Sequence, residues 1–146
     1  MIAVDTNVLV HAHRKESPRH APAKAWILRL AEGSRPWGLP VFCLTEFVRV
    51  VTHRRVFSPP STLEQALDAL SSLIESPSLQ ILLPGERFAA HLDATFRASG
   101  ATGNLAFDAQ IAALCLEHGV RDLLTEDRDF LRFPGLRTVG LDQPTP

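Results

Sequence analysis

The chain has 146 residues, 45% hydrophobic and 21% charged, proportions that suit one globular domain. A domain of that length buries roughly 68–70% of its unfolded surface and needs no disulfide or metal staples to hold its core. Eleven prolines and eight glycines are scattered along it, which excludes a long linker tract, and a net charge of −1 excludes overall basicity as a means of holding a polyanion.

Ile2–Val4 is a short apolar run, the pattern of a strand, and it ends in Asp5. A short helix is predicted over 8–13, then a charged loop over 14–19 broken by Pro18. Residues 21–32 predict a helix, with Trp26, Ile27 and Leu30 at apolar spacing and Gly33 as its stop. A strand over 37–39 leads to Pro40, a residue favoured at the first helical position, and a helix over 41–53. Pro59-Pro60 closes a loop, and Ser61-Thr62-Leu63-Glu64 reads as a capping box. Leu63, Ala66, Leu67, Leu70 and Ile74 follow at helical spacing. A strand over 79–83 ends at Pro84-Gly85, and Phe88, Leu92 and Phe96 mark a helix that stops near Gly100. Asn104 is expected to cap a helix running to Gly119, with Phe107, Ile111, Leu114 and Cys115 turned inward. Strands over 122–125 and 136–139 complete the series, the last at an edge.

Such alternation predicts an α/β fold, a mostly parallel sheet between helices, as a single domain over 1–146. Cys43 and Cys115 fall in apolar stretches and read as buried free thiols. Met1-Ile2-Ala3-Val4-Asp5 does not resemble a signal peptide, and no run of 18 apolar residues occurs, so a cytoplasmic protein without a membrane span is expected. Ligands of open α/β sheets bind beyond the carboxyl ends of the strands, which directs attention to Asp5 and Asp127.

Most of the sixteen acidic residues look like solvated helix positions or caps, but four have less ordinary settings. Asp5 stands at the exit of an apolar strand, where it serves equally as the N-cap of the next helix or as a functional carboxylate. Glu46 interrupts an apolar helix, sharing its face with Arg49 and His53, and a surface Glu–Arg pair is the simpler reading. Asp108 occupies a first helical turn, where the dipole favours an acid. Asp127 belongs to the polar run Thr125-Glu126-Asp127-Arg128-Asp129-Phe130, in which Asp129 is expected to cap the turn before Phe130. Should the four converge, repulsion becomes large, since two unit charges 4 Å apart cost about 4 kcal/mol at an effective dielectric near 20. Such a cluster must take up protons or bind a hard cation, and oxygen-only ligands favour Mg²⁺ or Mn²⁺ over zinc.

Ile2-Ala3-Val4-Asp5-Thr6-Asn7-Val8-Leu9 resembles the opening motif of PIN-domain proteins. Nearly the whole chain resembles their VapC-type toxin branch of the mycobacterial kind. The matching stretches are Trp37-Gly38-Leu39-Pro40, Thr45-Glu46-Phe47-Val48-Arg49-Val50, Arg55-Val56-Phe57, Gly103-Asn104-Leu105 leading to Asp108-Ala109, Glu117-His118-Gly119, Thr125 to Phe130, and Arg132-Phe133-Pro134-Gly135-Leu136. The resemblance implies a parallel sheet between helices and an acidic metal pocket. It places Asp5, Glu46 and Asp108 on the first three acidic positions and Asp127 on the more variable fourth, a place that Asp129 or Glu126 could share. Thr6, Asn7 and Thr125 would support the pocket. It further implies endonucleolytic hydrolysis of RNA, commonly tRNA or ribosomal RNA, with Mg²⁺ or Mn²⁺, as well as homodimerisation and silencing by an antitoxin whose tail enters the active-site groove.

Other features weigh less. His11 and His13 point different ways on a helix and do not suit a shared metal. His53-Arg54-Arg55 and the group Arg14, Lys15 and Arg19 suit phosphate contacts or plain solvated segments. Trp26 reads as core. Two rival readings stand beside the ribonuclease: a related metal-dependent DNA nuclease, which this short chain equips poorly to clamp a junction, and a catalytically weak RNA-binding module of the same fold, which need not keep all four acids.

Overall fold

The computed structural model describes residues 1–144. The elements in chain order are β1 (Ile2–Val4), α1 (Thr6–His13), α2 (His20–Glu32), β2 (Trp37–Pro40), α3 (Val41–Val51), α4 (Leu63–Ile74), β3 (Leu79–Leu82), α5 (Phe88–Ser99), α6 (Leu105–Glu117), β4 (Asp122–Leu124) and β5 (Arg137–Val139). A 3₁₀ turn, Arg128–Arg132, lies between the last two strands. The strands form one five-stranded sheet in the order β3-β2-β1-β4-β5, every pair parallel. The expected fold class is therefore present.

β1 sits at the centre because it is apolar throughout. A parallel strand with neighbours on both sides and helices over the sheet must be buried on both faces. Ile2, Ala3 and Val4 are all buried, with Ile2 paired to Trp37 on one side and to Asp122 on the other. From β1 the chain steps outward to β2 and β3, then crosses back to β4 on the opposite side of β1. That reversal makes the gap between β1 and β4 a topological switch point, where a crevice opens beyond the carboxyl ends. Around the sheet α1 packs on α2 and α3, α3 on α4, and α5 on α6.

Helix α6 is apolar nearly all round, with Ala109, Ile111, Ala112, Ala113, Leu114 and Cys115 buried, as expected of a helix enclosed on most sides. It closes with a Schellman motif. The Val120 N–H donates to the Cys115 carbonyl at 2.9 Å and the Gly119 N–H to that of Leu116 at 3.1 Å. This needs a left-handed residue, and Gly119 has φ 69°, so the chain turns at once into β4.

Several local expectations are corrected. The capping box starts one residue later than expected: Thr62 Oγ1 accepts from Gln65 N at 3.1 Å and Gln65 Oε1 accepts from Thr62 N at 2.9 Å. Ser61 is buried and holds His13 and Arg14 instead, each at 2.9 Å. Asn104 gives no side-chain cap, because it is already in a helical conformation and backbone bonds from Leu105 and Ala106 to Thr102 and Gly103 start the helix. Phe107 is 59% exposed, since the first turn of α6 emerges beyond the core. Pro40 closes β2 and precedes α3 as its N-cap residue instead of entering the helix. Trp26 is core, as expected, and its indole N–H donates to the Leu141 carbonyl. Both cysteines are buried and free, and burial pushes the Cys115 thiol up to about 12 and raises that of Cys43 as well. Among the described residues no helix is long and apolar enough to cross a membrane.

Candidate active site

The site starts from the β1–β4 pairing. Asp5 N donates to the Leu124 carbonyl at 3.0 Å, so the ladder runs one residue past β1 and sets Asp5 beside Thr125. Asp5 is only 4% exposed, and both its carboxylate oxygens accept hydrogen bonds. Oδ1 accepts from Thr6 N at 2.7 Å, while Oδ2 accepts from Asn7 Nδ2 at 2.6 Å and Thr125 Oγ1 at 2.7 Å. Asn7 Nδ2 also reaches Thr125 Oγ1 at 2.9 Å, and Asp127 N donates to the same oxygen at 3.0 Å. The two readings of Asp5 are thus compatible: it caps α1 and at the same time faces the crevice.

Glu46 keeps its pair with Arg49 and also reaches the crevice. Oε1 pairs with Arg49 at 3.2 Å, while Oε2 accepts from Thr6 Oγ1 at 2.8 Å, which draws the carboxylate toward Asp5. Asp108 arrives from the first turn of α6. Asp127 caps the 3₁₀ turn, accepting from Asp129 N at 2.8 Å, so it has the capping role expected of Asp129. All four expected carboxylates line one cavity of about 170 Å³, together with Thr6, Asn7, Val10, His11 and Val50.

Asp129 joins them from the side. One carboxylate oxygen each of Asp108, Asp127 and Asp129 lie within 4.8 Å of one another. Glu126, the other alternative for the fourth place, turns away; it pairs with Arg19 at 2.8 Å and accepts from Leu141 N at 2.9 Å. His11 and His13 separate, as their helical spacing predicts, and His11 reaches the cavity. Its spacing of four residues from Asn7 on α1 was the available signal. In the basic group Arg14, Lys15 and Arg19 both arginines are occupied internally: Arg14 holds Glu16, Ser61 and the Pro59 carbonyl and lies over Phe57, while Arg19 pairs with Glu126 and Asp142.

Burial, reinforced by the Glu46 and Asp108 charges, pushes the Asp5 carboxyl up to about 7, against the opposing hydrogen bonds from Thr125 and Thr6. Burial first, then Asp127, Glu46 and Asp129, brings Asp108 up to about 6. Among the described residues neither Asp5 nor Asp108 has an ion-pair partner. An all-oxygen donor set with surplus negative charge fits a hard divalent cation, with Asp108, Asp127 and Asp129 close enough to share one. A larger groove, of about 960 Å³, lies toward the amino edge of the sheet near Met1, Arg35 and Arg137. The carboxylate on it, Asp122, is already paired with Arg137 at 2.6 Å, so no acidic cluster forms there.

A parallel α/β sheet with an acidic crevice at its switch point is an arrangement suited to holding a hard cation there. The PIN domain model matches residues 2–136. Ribonuclease VapC43 of Mycobacterium tuberculosis is 41% identical over 137 residues, covering 94% of this chain and 92% of its own. The chain belongs to the PIN-domain family, and within it to the VapC group. Two solved structures share the fold. VapBC2 from Rickettsia felis, bound to a DNA fragment from its promoter, has a TM-score of 0.69 at 21% identity, covering 96% of this chain and 98% of that one. VapC20 of Mycobacterium tuberculosis, described as a toxin that cleaves the sarcin–ricin loop, has a TM-score of 0.65 at 17% identity, covering 94% and 99%.

Proposed function

We propose that the chain, as one domain over 1–146, is a Mg²⁺- or Mn²⁺-dependent endoribonuclease and the toxin of a toxin–antitoxin pair. The observation that carries this reading is the cavity lined by Asp5, Glu46, Asp108 and Asp127 at the switch point, in a chain 41% identical to a named ribonuclease. These four carboxylates would hold the metal, with Asp129 sharing the outer position beside Asp127. A bound divalent ion supplies the positive charge that activates water and stabilises the phosphorus transition state. The protein's part is to hold its oxygens still. Thr6, Asn7 and Thr125 fix both oxygens of Asp5, and Thr6 fixes one oxygen of Glu46, so the ligands need little reorganisation when the charge arrives.

Transfer RNA or ribosomal RNA is the expected substrate, supported by VapC20, a sarcin–ricin-loop-cleaving toxin that shares the fold. An antitoxin partner is supported by the VapBC complex among the structures sharing the fold. A homodimer acting in the cytoplasm completes the proposal.

The test is incubation with total tRNA, ribosomal RNA and DNA of matched sequence, in Mg²⁺, Mn²⁺ or excess EDTA. Metal-dependent cutting of RNA alone is expected. Cutting that persists in EDTA overturns the metal assignment, preferential cutting of DNA favours the DNA nuclease, and RNA binding without turnover favours the binding module.

A further inference from the structure

The cavity is rich in acceptors and poor in donors. Among its polar lining side chains, Asp5, Glu46, Asp108 and Asp127 offer carboxylate oxygens, Thr6 donates to Glu46, and the Asn7 amide nitrogen is spent on Asp5 and Thr125. Val10 and Val50 have nothing to donate. His11 is the exception. Its Nδ1 lies 2.8 Å from Ser17 Oγ, and among the described residues Nε2 has no partner.

Ser17 Oγ accepts from Arg19 N at 3.1 Å and can donate its hydroxyl hydrogen to His11 Nδ1, the arrangement that carries the imidazole hydrogen on Nε2. The backbone at His11 is held too, because His20 Nδ1 donates to the His11 carbonyl at 3.1 Å.

A phosphodiester entering an acidic crevice needs a donor besides the metal, and a neutral N–H supplies one without competing for the metal's ligands. We propose that His11 Nε2 donates a hydrogen bond to a non-bridging phosphate oxygen of the RNA strand, making His11 a substrate-binding residue that sets the strand's register over the carboxylates. This rests on the ribonuclease reading above.

The test uses three variants of the full chain with an oligoribonucleotide that the wild type cuts. His11→Gln keeps a donor near the Nε2 position, His11→Asn keeps one near Nδ1 and so retains only the Ser17 contact, and His11→Ala keeps neither. Losing a hydrogen bond to a charged group costs roughly tenfold to a hundredfold in affinity. The expected result is a KM raised by that factor in His11→Ala and His11→Asn, near-wild-type KM in His11→Gln, and Mg²⁺ affinity by calorimetry equal in all four proteins. Rescue by Asn and not by Gln shows that the Ser17 contact matters and overturns the proposal. So does an unchanged KM in His11→Ala, or weakened Mg²⁺ binding, which would make His11 a metal ligand. A wild type that cuts no RNA overturns the ribonuclease reading, and this inference with it.

Discussion

Asp5 is the residue on which most of the site turns, because three hydrogen bonds hold it and burial makes its charge costly. Asp5→Asn keeps the shape and removes the charge. On the proposed reading a metal ligand is lost, so cleavage should fall by about 100-fold or more. The fold should persist at pH 8, where relief from repulsion offsets a hydrogen bond that the amide makes less well. A melting temperature within about 4 °C of wild type, on the order of 1 kcal/mol, is expected. Asp127→Asn gives a cleaner reading of charge, because Asn caps a turn as well as Asp does. Full activity in that variant, measured beside its melting curve, would show that the capping role alone explains Asp127 and that Asp108 and Asp129 suffice.

At the scale of elements, the placement of the site depends on where helices begin. Asp5 caps α1, α3 carries Glu46 in its second turn, and α6 presents Asp108 in its first. Helix α4 stands apart from the crevice and contacts α3, with Ala66 and Leu70 buried while Leu63, Leu67 and Ile74 are exposed. Its stability should therefore be separable from activity. Thr62→Ala removes the capping box and should cost about 1 kcal/mol, with no change in kcat or KM. Denaturant unfolding paired with an RNA cleavage assay checks both halves, and a loss of activity without a loss of stability would tie α4 to the site.

The whole molecule stores the charge conflict as a dependence of stability on pH. Asp5 and Asp108 have folded pKa values of about 7 and about 6 against an ordinary 3.8. Between these limits the folded protein binds more protons than the unfolded chain, so stability falls as pH rises. The contribution is fully present below about pH 4 and is lost as pH rises through about 7, on the order of a few kcal/mol for buried Asp5. Relative to wild type, metal-free Asp5→Asn should therefore melt at progressively higher temperature as pH goes from 5 to 8. Mg²⁺ should raise the melting temperature of the wild type most at the alkaline end, where protons no longer compete for its ligands. A wild-type-minus-variant difference that is flat across this range would mean that Asp5 is not the group titrating.

The order of elements and the parallel α/β class were legible in the sequence, because apolar periodicity is written residue by residue. Asp5, Glu46 and Asp108 could be singled out as candidates, but each also had an ordinary structural reading, and their grouping came from family resemblance. Convergence itself was not legible: residues 5, 46, 108 and 127 meet only because the strand order reverses beside β1 and brings Thr125 against Asp5. The choice among Glu126, Asp127 and Asp129 lay equally beyond the sequence, for it depends on Arg19 and Leu141 N claiming Glu126 from the far side. His11 looked like half of an unlikely metal pair until Ser17 fixed its ring. Sequence encodes what each residue can bond to, and only the tertiary structure decides which partner is within reach.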